Sequence, residues 1–129
     1  MKVAFHSRLL TERGSEGAML DYARLNCSVL GNESVLCLPD QPEFVGNPLL
    51  QKWQEEFEVI QYQDKNDFGR KLKKERAEVL YQTKPGPFDG FLVLGVKNCI
   101  HAQFLCDEFH GDAFAYLSPW MSRVMTGRE

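Results

Sequence analysis

Six residues of this chain are the best placed for chemistry at a shared cleft: Gly14, Ser15 and Glu16 at one loop-to-helix junction, Lys84 in a second loop, and His101 and His110 farther on. At a helix start the backbone N–H groups are unpaired, and a glycine beside them lets a ligand come close to the main chain. Such a junction suits a ligand that is anionic or rich in hydroxyls, with the Glu16 carboxylate accepting hydroxyl hydrogen bonds. An ordinary strand-to-helix connection, with Glu16 complementing the positive helix end, reads the same residues without a ligand. His101 carries an imidazole that changes charge near neutral pH and can exchange a proton with a ligand, although a structural histidine would look the same. His110 stands beside Asp107 and Glu108, two carboxylates that either raise its pKa or are simply solvated. Lys84 is placed to contact phosphate, and a lone loop lysine also occurs without a specific role. His6, at the end of an apolar run, is a weaker candidate.

Cys99, His101, Cys106 and His110 supply two sulfurs and two imidazoles, enough in kind for tetrahedral zinc. Their spacing lacks the tight turn from which paired zinc ligands project, so no metal is expected, and the four cysteines are read as reduced and mostly buried.

The elements that must position these residues follow from the pattern of apolar positions. Lys2 to His6 reads as a strand covered on both faces, followed by a loop over Thr11 to Gly17 and a helix to Leu30 with Ser15 as N-cap. Gly31 and Asn32 stop that helix. Glu33 to Leu38 makes a second strand, and Pro48 opens a helix that turns Leu49, Leu50, Trp53 and Phe57 to one side. Glu58 to Tyr62 is a third strand. Asp64 or Asn66 caps a helix to about Ala77, with Phe68 and Leu72 inward and its basic residues in solvent. Glu78 to Thr83 is a fourth strand. Lys84 to Gly90 is the clearest loop, and it falls on the same rim as the Gly14 loop. Phe91 to Leu94 reads equally as a short strand or a helical turn. Lys97 to Ala102 and Ala113 to Leu117 read as further strands on either side of a polar loop. Ser118 and Pro119 cap and open a last helix; Tyr116 and Trp120 read as core aromatics.

Strands alternating with helices give an α/β fold, a single Rossmann-like domain with a mainly parallel sheet flanked by helices. At 129 residues, 43% hydrophobic and 26% charged, the chain is long enough for one domain with a sizeable core. A net charge of −3 argues against non-specific nucleic-acid binding. No apolar run reaches the length of a membrane span and no signal peptide is evident, so a cytoplasmic location is expected.

The first strand, the loop Arg13-Gly14-Ser15-Glu16, the helix after it, Gly31-Asn32-Glu33 and the strand Ser34 to Leu38 together resemble the opening of glycosyltransferases with two Rossmann-like domains. Lys97-Asn98-Cys99-Ile100-His101 resembles the later strand that delivers a histidine to the interdomain cleft of that family, and Ser118-Pro119-Trp120 the junction after it. Arg13 stands where a second glycine is common, and Asn32 replaces the usual histidine. The resemblance implies the acceptor-side domain of a nucleotide-sugar-dependent enzyme, with Gly14, Ser15 and Glu16 at the substrate and His101 stabilising charge on the transferred sugar; Lys84 and His110 join them as substrate-binding candidates on the same rim. It implies a sugar or glycan acceptor and no bound cofactor. It also implies a donor-binding domain or second subunit, and little activity from this chain alone. The last helix is short, which reads as the amino-terminal half of a larger protein whose exposed apolar surface could pair two copies. The alternative is a non-catalytic Rossmann-like module that binds a sugar, a nucleotide or a protein partner.

Overall fold

A computed structural model of the chain describes residues 1–10 and 15–127, and for Ser15 the backbone alone. Six strands, β1 (Lys2–His6), β2 (Glu33–Pro39), β3 (Glu58–Tyr62), β4 (Val79–Lys84), β5 (Lys97–Ala102) and β6 (Ala113–Tyr116), form one sheet. Its order is β3-β2-β1-β4-β5-β6 and every neighbouring pair is parallel. Four helices flank it: α1 (Ser15–Ser28), α2 (Pro48–Glu56), α3 (Lys65–Glu75) and α4 (Pro119–Thr126). This is the expected Rossmann-like α/β fold, with the sheet wholly rather than mainly parallel.

Strand alternation sends successive side chains to opposite faces, and each face has its own core. Val3, Phe5, Leu36 and Leu38 pack against Met19, Leu20 and Ala23 of α1 and Leu49, Leu50 and Trp53 of α2. On the other face Ala4, Val35, Cys37, Ile60 and Leu80 pack against Phe68 and Leu72 of α3. The local signals for the helix ends are legible in the geometry. The Asn47 side chain accepts from Leu49 N–H at 2.9 Å, Asp64 from Asp67 N–H at 2.8 Å, and Ser118 from Met121 N–H at 3.2 Å. Ser15 is the first residue of α1 rather than the residue before it. Beyond α1, Gly31 takes a φ of +70°, and the buried Asn26 donates to Glu33 C=O and to the Ser34 hydroxyl, fastening the helix end to β2.

Residues 85–96, between β4 and β5, form neither strand nor helix, so Phe91 to Leu94 resolves as irregular chain. Its polar backbone is held by a side chain: buried Asn98 accepts from Val93 N–H at 3.0 Å and donates to the carbonyls of Val93 and Val96. Residues 103–112 are likewise irregular, and Trp120, expected in the core, is 58% exposed. No helix among the described residues is long and apolar enough to cross a membrane.

Candidate functional site

β1 and β4 are neighbours from which the chain leaves in opposite directions across the sheet, β1 to β2 on one side and β4 to β5 on the other. At such a switch point the loops beyond the strand ends diverge and leave a crevice, the usual ligand site of open parallel sheets. Here it encloses about 480 Å³, within the range of small-molecule sites, and receives His6, Arg8, Glu16, Gln82, Lys84 and Asp89.

The β1 loop is shaped by Ser7, whose hydroxyl donates to Leu9 C=O and accepts from Leu9 N–H, closing a tight turn. That turn presents Arg8, whose guanidinium lies 4.5 Å over the Phe91 ring and 3.4 Å from Asp89 Oδ2. Lys84 Nζ donates to Asp89 Oδ1 at 2.9 Å, and Phe91 N–H donates to the same oxygen at 3.0 Å. One carboxylate thus ties the loops after β1 and β4 together. Burial works against its charge, but the Phe91 N–H, Lys84 and Arg8 outweigh it and hold the Asp89 pKa below the ordinary value. Glu16, buried in the first turn of α1, brings a second carboxylate.

Beneath the crevice, His6 is fully buried and both ring nitrogens are engaged. Gln82 Nε2 donates to Phe91 C=O at 3.1 Å, so its oxygen faces His6 Nδ1, 3.1 Å away, and accepts from it. Nε2 is then the acceptor for the Tyr62 hydroxyl at 2.6 Å. Burial drives the His6 pKa down to about 3, and burial also raises that of Tyr62. The chain Tyr62–His6–Gln82–Phe91 therefore runs with every member neutral. It positions the floor and the β4 loop, and a neutral imidazole with both nitrogens occupied is not a general base.

Of the residues singled out in the sequence, Glu16, Lys84 and the weaker candidate His6 meet at this crevice. Gly14 and the Ser15 side chain lie outside the described residues. His101 lies instead on the α1 face of the sheet, where its Nδ1 shares a short hydrogen bond with the Tyr81 hydroxyl, beside Tyr22 and Cys99. Burial lowers its pKa. Gln103, two residues later, reaches the crevice and donates to the Thr83 hydroxyl. His110 donates through Nδ1 to Glu108 C=O at 2.7 Å and packs its ring edge-on against Phe88 and Phe114. Among the described residues, no three His, Cys, Asp or Glu side chains converge as a metal site would require. Arg8, Gln82 and Asp89 were not distinguishable in the sequence, because nothing in the chain order brings the end of β1 next to the end of β4.

Comparisons with protein-family models, with curated proteins and with solved structures give no match. Function must then be read from the chemistry of the site. Two cations and two carboxylates line the crevice, so it presents no single-sign field. A bare phosphate would meet Asp89 and Glu16 as well as Lys84 and Arg8. A neutral ligand with many hydroxyls can donate to the carboxylates and accept from the cations, and fits that pattern better.

Proposed function

We propose that the chain is the acceptor-side domain of a sugar-transfer enzyme, holding a sugar or glycan in the switch-point crevice and depending on a donor-binding domain or second subunit for transfer. The observation that carries this reading is the meeting of Glu16, from the first turn of α1, and Lys84, from the end of β4, in a concave site of balanced charge. It agrees with the resemblance of the first strand, loop and helix to two-domain glycosyltransferases. The α1 face of β4 to β6 is open, with Tyr81, Cys99, His101 and Ala115 lining a shallow groove, which is compatible with a second domain, or a second copy of the chain, lying there. In that assembly His101 would face the partner across the cleft and act on the transferred sugar. All four cysteines are free, the state expected in a reducing cytoplasm.

A second reading, a non-catalytic sugar- or nucleotide-binding module, is favoured by one observation: the histidine at the crevice, His6, is neutral and locked, and His101 lies on the α1 face. Calorimetric titration of the chain with oligosaccharides and with nucleotide sugars tests the acceptor reading. Binding of an oligosaccharide, weakened roughly tenfold by Glu16→Gln, is the expected result. Tighter binding of a nucleotide sugar than of any oligosaccharide, or affinity unchanged by Glu16→Gln, would overturn it. Recovery of transfer when a donor-binding partner is added, and its loss in His101→Ala, would separate an enzyme half from a binding module.

A further inference from the structure

A second cavity, larger than the crevice, lies apart from it. About 830 Å³ of open groove runs between α3 and residues 92–96, on the face of the sheet opposite α1 and α2. A parallel sheet is ordinarily covered by helices on both faces, and the connection from β4 to β5 ordinarily supplies one of them. Here that connection is irregular chain, and the groove lies alongside it.

The walls of the groove have a definite chemistry. Lys65, Arg70 and Lys73 of α3 and Arg76, the residue just after it, line the groove, against one acidic residue, Glu78. Arg70 is shared with Asp67 at 3.4 Å, whereas Lys65, Lys73 and Arg76 have no ion pair among the described residues. The other side is apolar: Val93 forms the buried floor, Val96 is half-buried, and Leu94 is 98% exposed. The groove is thus lined by apolar side chains and by cations together, and an occupant of matching chemistry is apolar on one side and acidic on the other.

We propose that this groove docks an acidic amphipathic helix of a partner protein. The apolar stripe of such a helix would cover Leu94 and Val96, and its glutamates would meet the α3 cations. The length fits, since the 11 residues of α3 span about 16 Å, three turns of a partner helix. An anionic membrane has the complementary charge as well, but a bilayer surface is broad and flat, whereas this surface is a groove between α3 and residues 92–96. The site is separate from the crevice, and neither reading depends on the other.

The test is fluorescence anisotropy with a labelled, hydrocarbon-stapled helix of twelve residues, leucines on one face and glutamates elsewhere, because an unstapled helix this short would not hold its shape in water. The expected result is binding to the full chain that weakens as salt is raised. Binding should fall roughly tenfold in a Lys65→Glu, Lys73→Glu double variant and several-fold in Leu94→Ser. These three positions are exposed, and unchanged thermal unfolding of the variants would show the fold intact. Equal binding of a stapled helix with lysines in place of glutamates, affinity unchanged in both variants, absence of binding, or binding only to phosphatidylglycerol vesicles would overturn the proposal.

Discussion

His6 contributes to stability only while it is uncharged. Its pKa falls from 6.5 to about 3 on folding, so between those values the unfolded chain binds a proton that the folded chain does not. Stability therefore declines as pH drops below 6.5, by up to about 1.4 kcal/mol per unit from this residue. Urea unfolding at pH 7, 6 and 5 should show that decline, and His6→Gln, less stable at pH 7, should have a smaller slope in this range, the remainder coming from His101, whose pKa burial also lowers. Asp89 makes a second case at the same scale. The Lys84 side chain beside it is only 9% exposed, so Asp89→Ala would strand a buried ammonium and free the Phe91 N–H. The expected cost is on the order of 2 kcal/mol by denaturant titration, with Asp89→Asn costing less because the amide oxygen can still accept. In the sequence, Glu16 and Lys84 were visible as loop residues on a common rim. His6 was visible only as a strand-end histidine, and its engagement by Tyr62 and Gln82 required the sheet order that sets β3 and β4 on opposite sides of β1.

At the scale of elements, the helices and strands were legible because their signals are local. Pro48, Asp64 and Ser118 mark helix starts by side-chain chemistry that acts within three residues, and Phe68 and Leu72 share a face through helical spacing alone. The loops after β4 and β5 were legible too, but Phe91 to Leu94 was not, since its conformation is set by a side chain beyond the segment. Phe91 to Leu94 has the composition of a strand, yet Asn98 takes up the Val93 amide and carbonyl, leaving no ladder to join. Asn98→Ala should cost about 1–3 kcal/mol and increase hydrogen exchange at Val93. Gly111 holds the second connection: at φ +82° an added Cβ would lie 2.8 Å from Asn98 C=O, a backbone atom. Gly111→Ala should destabilise by about 2 kcal/mol in the same measurement, through both strain and collision.

For the whole molecule, alternating elements pointed to a parallel sheet, but periodicity says nothing of strand order. The order β3-β2-β1-β4-β5-β6 is what makes a switch point, and only then do Arg8 and Asp89 become neighbours across a crevice. Exposure of Trp120 is also a property of the whole, since composition cannot tell which sheet face is left uncovered. The central claim is that a sugar ligand is held at the switch point. Amide chemical-shift mapping of the nitrogen-15-labelled chain with oligosaccharides at millimolar concentration tests it most directly. Shifts concentrated at Ser7 to Leu9, Gln82 to Lys84 and Gln103 are the predicted result. Shifts confined to α3 and residues 92–96 or to the Tyr81–His101 groove, or no shift with any sugar tried, would contradict it.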